Sequence, residues 1–157
     1  MIHMKVQGLT IDPATNSPII ILQELTGERT LPIWIGLLEA TAIASELEKV
    51  TFSRPMTHDL ALNLITHMGR RILKVEVTAL QDNTFYALVY LQDADGQVTT
   101  VDSRPSDAIA LALRAQAPIL VAEEVLATAA ASPAQGDKEW KDLLESMDPE
   151  DFGKYKM

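Results

Sequence analysis

Cysteine is absent from the 157 residues, which excludes disulfides, thiolate nucleophiles and cysteine-based zinc sites. Aromatic residues are scarce, at 5% of the chain, and none interleaves with basic residues as an RNA-binding platform requires. No apolar run approaches the roughly 18–20 residues of a membrane span, so no membrane partner is expected. The chain also lacks a basic block. Its 22 acids stand against 13 Lys and Arg for a net charge of −9, and 15 acids against 9 bases already fall within residues 1–131. Nucleic-acid binding normally rests on a basic surface that displaces counterions. Such contact here would have to use a local patch, such as Arg54, Arg70, Arg71 and Lys74, or a bridging metal ion. No Walker loop, GxGxxG, HExxH or GxSxG is present. Lys5 is followed by Val6 and then by Gln7 and Gly8, which does not read as a basic-then-apolar leader. A cytoplasmic globular protein is therefore the expectation.

What is present suits one domain with a real core, expected over residues 1–131. Residues 132–157 are expected to add a linker and a short acidic helical extension carrying Trp140, Phe152 and Tyr155. Alternation predicts strands over Met4–Ile11, Ile19–Leu25 and Arg29–Ile35, with Pro32 arguing for an edge position or a bulge;. Strands Ile72–Leu80, Phe85–Gln92 and Gln97–Val101 read as an antiparallel meander, and Ile119–Ala122 as a short strand;. A 3.6-residue period predicts a helix over Leu37–Val50;. A second helix is expected to start at Thr57 as N-cap, to bury Leu60, Ala61, Leu64, Ile65 and Met68, and to stop at a left-handed Gly69;. A third, Asp107–Ala115, is apolar nearly all round, which predicts burial, with Ser106 as its cap; Glu123–Ala131 is the fourth;. Strands grouped with strands predict an α+β fold with a mainly antiparallel sheet and three to four helices.

Two steps stand out: Arg54-Pro55-Met56-Thr57 and Arg104-Pro105-Ser106-Asp107, fifty positions apart, each opening a helix. They suggest one charged device built twice, and with it an internal duplication of a strand–helix unit. Acids lie close by: Asp59 after the first, Asp102 and Asp107 around the second. Phosphodiester hydrolysis needs an activated water, a charge sink for the transition state and a proton for the leaving oxygen. Carboxylates holding Mg²⁺ or Mn²⁺ can supply the first two, arginine can help with the second, and histidine with the third. The candidate catalytic residues are therefore Glu39, His58, Asp59, Asp102 and Asp107. Arg54 and Arg104 are the candidate phosphate ligands, and Asp59, Asp102 and Asp107 the candidate metal ligands. The plainer reading is that Asp59 and Asp107 answer a helix dipole and that the two arginines only anchor helix starts.

Leu31-Pro32-Ile33-Trp34-Ile35-Gly36 with Glu39-Ala40, Arg54-Pro55-Met56-Thr57-His58-Asp59-Leu60, and Asp102 through Ala112 are similar to blocks of the bifunctional nuclease (BFN) domain family. Ala117-Pro118-Ile119 with Glu123-Glu124-Val125-Leu126 resembles it too. The resemblance covers roughly residues 4–130, and Asp148–Met157 looks like the C-terminal extension of bacterial members. The family is mostly bacterial, and its plant relatives are described as having both DNase and RNase activity. The resemblance implies a nuclease acting on DNA or RNA. Three readings stay open: a metal-assisted nuclease, a binding or regulatory module on the same fold, and a scaffold working through the aromatic tail. Apolar faces on a chain of modest length lead us to expect a homo-oligomer.

Overall fold

The computed structural model describes residues 1–131; the expected linker and acidic extension lie outside the described residues. β1 (Ile2–Ile11), β2 (Pro18–Glu24) and β3 (Thr30–Trp34) are followed by α1 (Leu37–Leu47) and α2 (Thr57–His67). β4 (Arg71–Gln81), β5 (Thr84–Gln92) and β6 (Val98–Ser103) are followed by α3 (Pro105–Ala115), β7 (Ile119–Val121) and α4 (Glu123–Ala131). The strands form one sheet in the order β3-β2-β1-β7-β4-β5-β6. The short β7 makes it continuous. It pairs antiparallel with β1 through Met4↔Ile119 and parallel with β4 through Val75↔Ile119. The expected α+β class and the β4–β6 meander are thus observed.

Local sequence explains the strand positions. Ile19, Ile20, Ile21 and Leu22 are all buried on β2, which lies between β1 and β3. A strand apolar on both faces is stable only with both faces covered. Pro32 sits on β3, opposite Ile21, at the sheet edge where its missing N–H leaves no ladder bond unmade;.

α3 is the axis of the helical layer. Pro105, Ser106, Ala108, Ile109, Ala110 and Ala112 are buried, as an all-round apolar helix requires. Its N-cap is Arg104 and Pro105 takes the first helical position, so Ser106 lies within the first turn rather than capping it. Gln116 closes it in a left-handed conformation at φ 54°. The two Arg-Pro steps are not equivalent. α3 follows β6 directly, whereas α2 follows an irregular stretch, and Pro55 stays outside the helix with Met56 at the N-cap. The expected Thr57 cap is replaced by Asp59, whose Oδ2 accepts the Met56 N–H at 2.9 Å.

The expected buried stripe of α2 holds only at Ile65 and the half-buried Ala61. Leu60, Leu64 and Met68 are exposed, at 51–68%, while Leu62 and Ile65 pack on the core. Arg114, near the end of α3, has a side chain only 6% exposed. Its Nε donates to Asp59 Oδ1 at 2.7 Å, its Nη2 to the Ala42 carbonyl of α1 at 2.9 Å, and its Nη1 to the Ala110 carbonyl at 3.0 Å. The inward face of α2 centres on positions 58, 62 and 65, with Asp59 at its edge where it meets Arg114, while 60, 64 and 68 face out;. Gly69, at φ 75°, stops α2 as expected;.

This buried guanidinium sets an asymmetric outcome for substitution. Asp59→Ala leaves the Arg114 charge uncompensated in the interior and should cost ~3 kcal/mol or more. Arg114→Met leaves Asp59 partly hydrated and still bonded to Met56, and should cost about 1–3 kcal/mol. Urea denaturation of both variants checks the order. The Asp59 carboxyl sits below its ordinary 3.8: burial pushes it up, but the Met56 N–H and the Arg114 guanidinium outweigh that. A carboxyl held low by the fold stabilises it above the unfolded value and loses that contribution as pH falls through the folded one. The melting temperature of the wild type should therefore fall below about pH 4 more steeply than that of Asp59→Asn.

Candidate active site

Glu39 lies in the first turn of α1, His58 in the first turn of α2, and Arg104 and Asp107 at the start of α3. The packing of α1 and α2 against α3 brings these four together in a line. Arg104 Nη1 donates to Glu39 Oε1 at 2.8 Å, and Arg104 Nε to Asp107 Oδ2 at 2.8 Å. The other Asp107 oxygen, Oδ1, lies 2.8 Å from His58 Nε2. Gly36 allows the Glu39 end of the line: a Cβ there would meet Glu39 Oε2 at 2.2 Å.

The electrostatics assign protons. Burial raises the Asp107 carboxyl, but the hydrogen bonds from Arg104 and His58 outweigh it, so the group is held below its ordinary 3.8. An ionised carboxylate only accepts, so the His58 contact requires the proton on Nε2. Nδ1 is then the basic nitrogen, and it has no partner among the described residues. A carboxylate that fixes the tautomer and orientation of an imidazole is the arrangement of an acid–base catalyst. Arg104 has a side chain 64% exposed, and its Nη2 has no partner among the described residues. One face of its guanidinium can therefore meet an anion while the other stays bonded to carboxylates.

The line runs along a cleft of about 600 Å³. α3 contributes Arg104, Asp107, Leu111 and Arg114, which share one helical face;. α1 supplies Leu38, Glu39 and Ala42, α2 supplies His58 and Ala61, and Phe52 closes the side between them.

Other predicted site residues are not in this group. Asp59 belongs to the buried pair with Arg114. Asp102 is exposed on the edge strand β6, opposite Leu88. Arg54 is exposed ahead of α2. The proposed metal set Asp59, Asp102 and Asp107 is thus not brought together. Among the described residues, no three His, Asp or Glu side chains converge as a metal site. Sequence reasoning missed Arg114, a single base at the end of an apolar helix. The signal was there, since a cation on a buried helix has to find a carboxylate, but a favourable helix-dipole position offered an ordinary account of it.

The tautomer is directly observable. A long-range ¹H–¹⁵N spectrum at alkaline pH should show His58 protonated at Nε2. Asp107→Asn, whose amide can donate to that nitrogen, should abolish the preference.

Residues 20–134 match the family model described as "Bifunctional nuclease domain", a span that contains all four members of the line. An uncharacterized protein of Mycobacterium tuberculosis H37Rv is 39% identical over 164 aligned residues, covering 96% of this chain and 97% of its own. Bifunctional nuclease 2 of Arabidopsis thaliana is 28% identical over 123 residues, which is 76% of this chain and 37% of that protein. Bifunctional nuclease 2 of Oryza sativa subsp. japonica is 27% identical over 123 residues, 76% of this chain and 38% of that one. The plant proteins are therefore much longer, and the match covers well under half of each. No helix among the described residues is long and apolar enough to cross a membrane. With the family match extending over most of its length, this chain belongs to the bifunctional nuclease domain family.

Proposed function

We propose that this protein cleaves phosphodiester bonds of nucleic acid in the cleft between α1, α2 and α3. The observation that carries the reading is the line Glu39–Arg104–Asp107–His58. It couples an oriented imidazole to an exposed guanidinium at the mouth of a cleft. In this reading His58 Nδ1 takes the proton of the attacking water as its oxygen bonds to phosphorus. Arg104 Nη2 donates to the non-bridging oxygens as negative charge builds on them. The bond to the departing oxygen breaks, and solvent supplies its proton. Asp107 holds the imidazole and stabilises its cationic form, and Glu39 holds Arg104 in place. The names of the plant relatives, bifunctional nuclease, support the same reaction class.

Mg²⁺ or Mn²⁺ as cofactor stays a proposal of a restricted kind. The described residues assemble no three-carboxylate site, so an ion would need one or two protein ligands with phosphate oxygens completing its shell.

Cleavage of labelled single-stranded RNA and DNA in Mg²⁺, Mn²⁺ or EDTA tests the reading. His58→Ala and Asp107→Asn should each lower kcat by roughly 10² or more, with melting temperatures close to wild type. Asp102→Asn should stay within about twofold, as expected of a surface substitution. Cleavage that survives both His58→Ala and Asp107→Asn would refute the assignment. Loss of cleavage in EDTA, restored by either ion, would add the metal.

A further inference from the structure

The Glu39–Arg104 ion pair has a second cleft on its other side. This one has a volume of about 390 Å³ and shares Glu39 and Arg104 with the first. The two clefts are therefore neighbours across one salt bridge, and Arg104 stands on the ridge between them. The second is lined by Trp34 at the end of β3, by Phe85 on β5 and by the neutral polar side chains of Ser17, Asn83, Thr84 and Ser106.

Trp34 is 43% exposed, unusual for the largest side chain in a domain with few aromatics. Its ring is held in place: the indole Nε1–H donates to Asp12 Oδ2 at 3.1 Å. Asp12 is itself ordered by accepting the Ala14 N–H at 2.9 Å. An exposed aromatic side chain at a cleft wall, beside neutral donors and acceptors and the Arg104 guanidinium with its Glu39 partner at the rim, is complementary to a base and its adjoining phosphate. It does not suit a polyphosphate, for which the cleft holds too few cations.

The charge of the chain points the same way. With a net charge of −9 and no basic block, counterion release cannot supply most of the affinity for a polyanion. Stacking of bases on aromatic side chains does not depend on net charge, and removing one such ring weakens binding by roughly 5- to 150-fold.

We propose that the second cleft is a nucleobase subsite, in which Trp34 stacks the base of a nucleotide next to the phosphate that faces Arg104. The proposal rests on the reading of the first cleft as a phosphodiester site and names its substrate class. Stacking on a ring face needs an unpaired base, so the substrate is single-stranded.

The test uses the full chain with Trp140→Phe, which leaves Trp34 as its one tryptophan, since the sequence holds two. A short oligothymidylate should quench Trp34 fluorescence, and an abasic oligomer of the same length and charge should not. In the otherwise native chain, Trp34→Ala should raise KM for the oligonucleotide about tenfold or more with kcat nearly unchanged, and Trp34→Phe should restore most of the loss. Tyr86→Ala, which removes an equally exposed aromatic outside both clefts (44%), should leave KM unaltered. Equal quenching by the abasic oligomer, or an unchanged KM in Trp34→Ala, overturns the subsite. Base-dependent quenching without any cleavage would uphold the subsite and remove the catalytic reading. His58-dependent cleavage without base-dependent quenching would do the reverse.

Discussion

A guanidinium enclosed by three helices has to satisfy its donors without water, and in this protein Arg114 does so with groups from all three. Asp59 answers it from α2, the Ala42 carbonyl from α1, and the Ala110 carbonyl from its own helix. Because an unpaired buried charge is so costly, the three helices have little freedom to slide or rotate separately. The inner network ties α2 to α1 and α3 at the edge of the α2 face that carries His58. The outer line from Glu39 to His58 is then closed by residues at the starts of the same three helices. The exposed chemistry is thus registered by the buried pair beneath it.

The two networks differ in kind even though both pair arginine with aspartate. Arg114 is enclosed, and Asp59 shares its burial only in part. Arg104 faces solvent, and its carboxylate partners leave one edge of its guanidinium open. A salt bridge of that exposed sort contributes little to stability, and under the proposed function its placement beside an oriented histidine serves the chemistry. The helix-anchoring reading of arginine describes Arg114, and Arg104 also ties the starts of α1 and α3 through Glu39 and Asp107. Under the proposed function, an acidic chain that meets an anionic polymer also has to confine its positive potential. Arg104 at the ridge between two clefts is such a local charge, and neutral or aromatic surface on either side avoids adding to the repulsion.

The elements were largely legible because their signals are local. Pro32 at an edge, Gly69 at a helix end, the all-round apolar α3 and the β4–β6 meander each follow from a few neighbouring residues and hold in the structure. Two kinds of reading were less secure. Cap positions shifted because Pro105 occupies the first turn of α3 whereas Pro55 stays outside α2, so similar tetrapeptides make different starts. The buried face of α2 coincides with the expected stripe only at Ala61 and Ile65, because the helix carries two apolar stripes. Periodicity reports that both exist but does not say which one turns inward.

By itself the sequence determined the fold class, the strand and helix order and the family resemblance, because alternation, helical period and turn residues are written in short windows. It also narrowed the chemistry to a few acids, arginines and one histidine. Only the tertiary structure decided which of these meet. His58 and Asp107 are 49 positions apart, and Glu39 and Arg104 are 65 apart; contacts across such distances depend on how three helices pack, not on any local pattern. The same packing sent Asp59 inward to Arg114 and left Asp102 on a sheet edge, although all the acids looked alike in the chain. A carboxylate becomes part of a site or part of a core according to which cation the packing brings to it.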